Sequence, residues 1–315
     1  MSAADADGPW PALPYADWAD TCQTLHLWTQ VVGKVRLAAT PWLNHSWQVP
    51  LYVTARGLTT GVIYVGSGPV EMEFDLVARR LSVRTDGPAA EVALEPMSVA
   101  DFHARVMTTL DGLGRPVAIN PIPNELPEAV PFPKDRAPRA FDGAKAERFW
   151  RVLLQADRVL KLFRTGFLGK ASPVHFFWGS FDMAVTRFSG RRAPPHPGGV
   201  PHLPDAVARE AYSHEVSSAG FWPGSPGAEQ AAFYSYAWPE PPGYRETAVS
   251  PAEARFDTGL GEFVLPYDAV RRAADPDAVL LSFLSSTYAA AADRAGWDRA
   301  ALECDLGQPG RPRPV

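Results

Sequence analysis

Residues 70–83 read VEMEFDLVARRLSV and carry the clearest strand pattern of the chain. Every second residue from Val70 to Leu76 is apolar, and the residues between them are acidic. This alternation is typical of a β-strand with one buried face and one solvated face. It resumes at Leu81 and runs to an Asp86-Gly87 pair, which favours a tight turn. The stretch therefore predicts an antiparallel meander.

Two helices flank this predicted meander. Apolar residues recur at helical spacing from about Asp17 to Ala39, and Pro41 ends the pattern. Gln23, His26 and Gln30 form a polar stripe on another face of this helix. The stripe would either line a cleft or face solvent, and both interpretations stay open. After the meander, Ser98 followed by Asp101 has the spacing of a capping box and predicts a second helix start. The run 45–56 is rich in Trp, Val, Tyr and Thr and predicts a strand.

The second half of the chain repeats this order of elements. It predicts a helix at 145–167, strands at 175–188, 233–238 and 262–265, and a final helix that begins after Asp275 and ends before Gly296. Residues 30–56 also resemble residues 155–187 weakly. An internal duplication explains the repeat, and so do two unrelated units of the same class. The predicted fold is α+β, with two tandem, possibly duplicated units of helices packed on mainly antiparallel sheet.

Proline-rich stretches suggest boundaries between these units. The predicted organisation is a lead-in at 1–14, a first α+β unit at 15–122, a proline-rich linker at 123–141, a second α+β unit at 142–298 that carries the candidate site, and a tail at 299–315. We expect a pocket at the seam between the two units, because binding sites are often formed where two units meet.

Composition excludes several classes of function. The formal net charge is −5, whereas a protein that binds nucleic acid needs clustered Lys and Arg to displace the counterions of the phosphates. No segment approaches the roughly 18 consecutive apolar residues of a membrane span. The first ten residues lack the basic and apolar regions of a signal peptide. The two cysteines, Cys22 and Cys304, are too few and too distant for a secreted disulfide scaffold. We therefore expect a cytoplasmic protein with no nucleic-acid or membrane partner.

The region 169–243 differs from the rest of the chain in combining titratable side chains with large aromatic rings. It contains the runs SPVHFFWGSFDMAVTRFSGRRAPPHPGG (172–199) and EAYSHEVSSAGFWPG (210–224). Apolar surface that excludes water, together with a few polar groups that orient a ligand, is typical of a binding pocket. A proline-rich surface loop that packs on aromatic residues is the alternative.

Each candidate side chain has a predicted role in such a pocket. His175 and His214 would be acid–base or ligand groups, with Asp182 or Glu215 orienting them. Arg187 and Arg191 would hold an anionic group by bidentate hydrogen bonds. The remaining ligand-binding candidates are Trp178, Trp222, His45 and His196.

Three functions remain open on this pattern. The first is an enzyme that acts on a small anionic molecule, and the second is a non-catalytic binding protein that serves as a sensor or carrier. The third is an interaction protein with a Pro/Trp-rich docking surface; a loop 190–204 packed over a cavity would count against it. No cofactor is predicted, because the GxGxxG and P-loop spacings are absent. A metal site stays open only if ligands such as His45, His175 and His214 converge from distant segments.

The same two runs, together with LHLWTQVVGKVRLA (25–38) and NHSWQVPLYVTARGLTT (44–60), resemble an uncharacterised bacterial family, domain of unknown function 5996. The resemblance covers about residues 10–298. It implies one family member over most of the chain and brings no activity, cofactor or catalytic residue with it.

Overall fold

The chain folds into two antiparallel sheets and a set of helices, in a computed structural model that describes residues 8–66 and 68–313. Within these residues the helices are α1 (Tyr15–Ala39), α2 (Val99–Gly112), α3 (Gly143–Thr165), α4 (Asp205–Ala211), α5 (Tyr267–Arg271), α6 (Pro276–Arg294) and α7 (Arg299–Leu302). The strands are β1 (Tyr52–Val53), β2 (Gly57–Val65), β3 (Gly68–Asp75), β4 (Arg80–Thr85), β5 (Ala89–Ala93), β6 (His175–Phe177), β7 (Asp182–Arg192), β8 (His214–Trp222), β9 (Ala232–Trp238), β10 (Arg255–Asp257) and β11 (Glu262–Pro266). The predicted α+β class is confirmed. Residues 1–7 of the predicted lead-in and 314–315 of the predicted tail lie outside the described residues.

The first sheet is the predicted meander, with strand order β1-β2-β3-β4-β5. The apolar alternation of β3 faces the core, where Met72 and Phe74 are fully buried. The opposite face is less solvated than the alternation predicts, because two of its acids are buried as well. Arg84 donates to Glu73 at 2.8 Å and Arg56 donates to Asp75 at 2.6 Å, and these guanidinium groups cover the carboxylates.

The strand predicted for residues 45–56 was wrong over most of its length. Only Tyr52–Val53 is a strand, and residues 44–46 form a short 3-10 turn. His45 and Ser46 take left-handed backbone angles, with φ of 60° and 57°, which a strand does not allow. The turn packs against the second half of the chain, where His45 Nδ1 lies 3.1 Å from the carbonyl oxygen of Ala211.

Both helix starts predicted from capping residues are confirmed. Ser98 Oγ accepts a hydrogen bond from the Asp101 backbone at 3.1 Å and donates to the Asp101 carboxylate at 2.7 Å. Asp275 accepts from the backbone of Ala278 at 3.0 Å, and α6 follows directly. These bonds satisfy backbone donors that the first helical turn leaves unpaired.

The second sheet has strand order β10-β11-β9-β8-β7-β6. The single strand predicted for 175–188 is a hairpin, since the chain turns between Phe177 and Asp182. Helices α3 and α6 cover one face of this sheet: the Arg187 guanidinium on β7 lies 3.6 Å from the ring centre of Phe163 on α3 and 4.5 Å from that of Tyr288 on α6. The residues that alternate with Arg187 therefore face the other side.

Backbone hydrogen bonds and a shared core join the two halves. Leu51 and Phe176 exchange two main-chain hydrogen bonds of 2.9 Å between the sheets. On α1, Trp28 stacks on Phe102 of the first half, and Trp18 stacks on Phe149 of the second. Among the described residues, no helix is long and apolar enough to cross a membrane.

Candidate functional site

A two-lobed cleft lies on the face of the second sheet that α3 and α6 leave uncovered. One part, about 700 Å³, is bounded by Glu262, Trp222 and Trp238, and we call it the acidic lobe. The other, about 530 Å³, is bounded by Trp47, Trp178 and Phe188, and we call it the aromatic lobe. Six residues line both lobes and mark where they join: Glu125, Ser180, Asp182, Tyr212, Tyr234 and Tyr236.

Strand β9 supplies the floor at this junction. Phe233 and Ser235 are buried on the side of the helices, so the intervening Tyr234, Tyr236 and Trp238 project into the cleft. The rings of Tyr234 and Tyr236 stack with centroids 6.2 Å apart. Three amphipathic rings in a row give this floor both flat apolar surface and hydroxyl groups.

Asp182 is the buried acid at the centre of the cleft. It opens β7 and accepts hydrogen bonds from the hydroxyl groups of Ser180 and Tyr234. Burial raises the pKa of Asp182, although both hydrogen bonds act in the opposite direction. Burial also raises the pKa of Tyr234 far above its usual 10.0. The Tyr234 hydroxyl therefore keeps its proton and donates it to the Asp182 side chain.

Two glutamates complete the acidic part of the cleft. Burial raises the pKa of Glu125 from 4.5 to about 7, and the nearby charge of Asp182 adds to the effect. The pKa of Glu262 rises to about 7 for the same two reasons, with a further contribution from Asp257. Carboxyl groups with a pKa near neutrality both accept and donate protons at working pH, which is the property required of a general acid or base.

Glu125 is positioned by the polar stripe of α1. Gln30 clamps the backbone beside it: Asn124 N–H donates to Gln30 Oε1 at 2.7 Å, and Gln30 Nε2 donates to the Asn124 carbonyl at 3.0 Å. His26 Nε2 lies 2.8 Å from the carbonyl oxygen of Gly179. Burial lowers the pKa of His26 to about 4, so the neutral ring donates this bond. Gln30 of this stripe is buried, and together with His26 it holds Asn124 next to the β6–β7 turn.

The glycine in that turn makes room for the glutamate. A Cβ atom at Gly179 would lie 2.0 Å from Glu125 Oε1. Glu125 itself has a φ of 60°, a left-handed conformation that costs energy for a residue with a side chain. Its N–H donates to the carbonyl of Pro201 at 2.9 Å. The hydrogen bond to Pro201 thus fixes the backbone of Glu125, and the missing side chain at Gly179 leaves room for its carboxyl group.

The segment 193–212 covers the cleft. His196 stacks on Tyr212 and packs against Trp238, with ring centres 4.8 and 4.7 Å apart. The side-chain amide of Asn124 donates to the backbone of His202. The cover is thus tied both to the floor and to the segment that carries Glu125.

Lys34 of α1 is the cation at the edge of the aromatic lobe. Its ammonium donates to Asn124 Oδ1 and lies 5.7 Å from the ring centre of Trp178. Burial lowers the pKa of Lys34 to about 8. The Trp178 ring packs against Gly33, where a Cβ would lie 2.4 Å from it, and its Nε1 donates to Val49 O at 2.8 Å.

Half of the residues predicted for the site line the cleft. They are Asp182, Trp222 and His196 in the acidic lobe, and His45 and Trp178, again with Asp182, in the aromatic lobe. The aromatic lobe is built from α1 and residues 42–49 of the first half and from β7 of the second. The aromatic lobe therefore lies between the two halves, where a pocket was expected, whereas the acidic lobe is lined by Glu125 and by the second half alone.

The three other predicted catalytic residues lie outside the lining of the cleft. His175 is 1% exposed, packs beside Trp47 and Tyr52, and has no hydrogen-bond partner for either ring nitrogen within residues 8–66 and 68–313. Burial lowers the pKa of His175 to about 3. His214 Nδ1 lies 3.0 Å from the hydroxyl oxygen of the adjacent Ser213.

Glu215, the third of these, forms a surface ion pair with Arg191 at 2.7 Å. Arg191 also donates to the carbonyl groups of Ala295 and Gly296 at the end of α6. Arg187 points to the opposite face of the sheet and donates to the Phe163 carbonyl at the end of α3. The two arginines expected to bind an anion thus stabilise helix ends away from the cleft.

Two acidic residues of the cleft, Glu125 and Glu262, were missed by the sequence analysis. Glu125 lies in the predicted linker, where proline gives no periodic signal. The polar-aromatic alternation of β9, with Tyr234, Tyr236 and Trp238 at every second position, was the signal that would have marked the floor. In the part of the chain that the structure describes, no three His, Cys, Asp or Glu side chains are grouped closely enough to hold a metal ion.

Residues 10–304 match the model of a family of unknown function (DUF5996), and the chain belongs to that family. No curated protein and no solved structure matches the chain. The family membership agrees with the resemblance found from the sequence.

Proposed function

We propose that the protein is an enzyme that acts on a small organic molecule by general acid–base catalysis in the two-lobed cleft. One observation carries the proposal: two carboxyl groups with a pKa of about 7, Glu125 and Glu262, face the same cleft as the buried Asp182–Tyr234 pair. Structural carboxylates on a protein surface keep their pKa near 4, whereas acids and bases at active sites are tuned toward working pH.

One glutamate acts as the general base and the other as the general acid. The ionised member of the pair accepts a proton from the substrate, and the protonated member returns one to it. Burial raises the pKa of both glutamates, and the nearby charge of the Asp182 carboxylate raises it further because it disfavours their ionisation. Tyr234 orients this carboxylate by donating to it. Isomerisation, elimination and hydrolysis all use such a pair.

This mechanism predicts a bell-shaped dependence of turnover on pH. Activity needs one glutamate ionised and the other protonated, so it falls on both sides of a maximum near pH 7. The two groups interact through Asp182, so the limbs of the profile describe the pair rather than either residue.

The charge of the ligand is revised relative to the expectation from the sequence. An anionic substrate was inferred from Arg187 and Arg191, and both of these lie outside the cleft with partners of their own. The lining of the acidic lobe argues for a neutral or positively charged group instead. The cover 193–212, packed over the cleft, weighs against a surface used for docking another protein.

A non-catalytic binding protein is the second candidate. The aromatic lobe favours it, because flat rings and an enclosed shape are enough for binding without proton transfer. Internal duplication and a cytoplasmic location also remain proposals; the helix–sheet–helix order in both halves supports the first.

The test begins with a screen of small molecules for thermal stabilisation of the protein. Hits are then assayed for turnover with the wild type, Glu125→Gln and Glu262→Gln, and with Glu128→Gln as the control on an exposed side chain of the same segment. We expect both cleft variants to bind the hit and to lose at least 100-fold in turnover, the usual size of one general acid or base contribution. Binding without turnover in the wild type would instead establish the non-catalytic function.

A further inference from the structure

The lining of the acidic lobe has an excess of negative groups. Its charged and titratable side chains are Glu125, Asp182, His196, Glu229, Glu240, Arg255, Asp257 and Glu262, together with the neutral Tyr212, Tyr234 and Tyr236. Arg255 is exposed at the margin. Burial lowers the pKa of His196, so this ring stays neutral near pH 7. Three separate segments thus bring carboxyl groups into this lobe, those of Glu125, Asp182 and Glu262.

The rings of the same lobe favour a cation over a neutral polar group. The tyrosine faces of β9 and the indoles of Trp222 and Trp238 surround the carboxyl groups. Aromatic faces attract an ammonium group through their quadrupoles, and the attraction grows when the site excludes water. The rings of His196 and Tyr212 cover part of this lobe.

The aromatic lobe continues from the junction and suits a different part of the same ligand. Its walls are the rings of Trp47, Phe177, Trp178 and Phe188. The ammonium of Lys34 already has Asn124 as its partner. Ser46, a residue of the same lining, has a buried hydroxyl group with no hydrogen-bond partner among the described residues.

We propose that the ligand of the cleft is an organic amine, with its ammonium group in the acidic lobe near the carboxyl groups of Glu125, Asp182 and Glu262 and its apolar body in the aromatic lobe. The inference rests on the proposed function in using the same cleft and names the class of molecule that the cleft takes. A lone ammonium ion would leave the aromatic lobe unused, and an apolar body without charge would leave the carboxyl groups unpaired.

The affinity for an amine should depend on pH in a definite direction. A cation favours the ionised form of each carboxyl group and therefore lowers its pKa. Glu125 and Glu262 begin near 7. If one of them must ionise on binding, affinity rises about tenfold from pH 6 to pH 8, and the complex releases protons into the buffer.

The experiment compares phenylbutylamine with phenylbutanol, phenylbutyrate and phenyl glucoside by calorimetry at about pH 6 and about pH 8. We expect the amine to bind at least tenfold more tightly than the other three at the higher pH, and its binding to release protons chiefly at the lower pH, where the glutamates are still protonated. Benzylamine should bind more weakly, by about threefold to fourfold for each methylene removed from the apolar body. Glu262→Gln should weaken the amine at least tenfold and remove part of the pH dependence, whereas Glu128→Gln should do neither.

Equal or tighter binding of the alcohol, the carboxylate or the glucoside would overturn the amine assignment, and so would failure of the amines to bind at millimolar concentration. A neutral substrate whose turnover requires Glu125 would refute the amine and keep the acid–base function. Tight, Glu262-dependent binding of amines without turnover of any amine would keep the ligand class and refute the catalysis.

Discussion

Replacing Glu125 by glutamine should make the protein less sensitive to alkaline pH. A carboxyl group with a pKa of about 7 when folded and about 4.5 when unfolded holds its proton more tightly in the folded state. Its contribution to stability is complete below the unfolded pKa and is lost as pH rises through the folded pKa. The full effect of such a difference is about 3 kcal/mol in the free energy of unfolding. Because Glu125 is half-buried, we expect about 2 kcal/mol after solvent screening.

The assay is urea unfolding at about pH 5.5 and about pH 8.5 for the wild type, Glu125→Gln and Glu128→Gln. Between these conditions the wild type should lose about 1 kcal/mol more stability than Glu125→Gln, because glutamine does not ionise and the rest of the effect falls below about pH 5.5. Glu128 is exposed three residues further along, so Glu128→Gln should behave like the wild type. If the wild type and Glu125→Gln lose the same unfolding free energy between the two pH values, the pKa of Glu125 is not raised in the folded protein. The proposed acid–base role of Glu125 would then be refuted.

Three further substitutions test how the cleft is held. Gln30→Ala should destabilise the protein by about 2–3 kcal/mol and speed amide exchange at 120–125, since it leaves both backbone groups of Asn124 unpaired; unchanged exchange would rule out the clamp. Gly179→Ala should lower turnover or ligand affinity at least tenfold with little change in melting temperature, because its Cβ displaces the Glu125 carboxyl group; wild-type function would refute that placement. Arg187→Ala should cost about 3 kcal/mol in unfolding free energy through lost packing and leave ligand affinity unchanged; a selective loss of affinity would return Arg187 to the site.

The fold was predictable where local chemistry and periodicity agree. The alternation of β3 and the caps at Ser98 and Asp275 act within a few residues, so the sequence contains all that is needed to infer them. The central strand β8 was not identified as one, because Ser217, Ser218, Ala219 and Gly220 give a weak strand signal. That strand is specified by its two neighbours in the sheet.

The sequence predicted which types of residue form the site, but only some of the residues themselves. Asp182 and the tryptophans were found because charge and rings occur together in one stretch of sequence. Glu125 and Glu262 were missed because their importance comes from convergence in space: they are 137 residues apart and share the neighbouring charge of Asp182. Arg187 shows the opposite error, since a clustered arginine carries no indication of which face of a strand it occupies.

The polar stripe of α1 links the fold to the proposed chemistry. Buried Gln30 and His26 stabilise a helix less than apolar side chains of similar size would, since polar groups lose their hydration. They are retained where their hydrogen bonds hold Asn124 and Gly179, the two backbone positions on which Glu125 depends. The first half of the chain thus positions Glu125, and the second half supplies the floor of the cleft. The cleft therefore requires both halves of the chain.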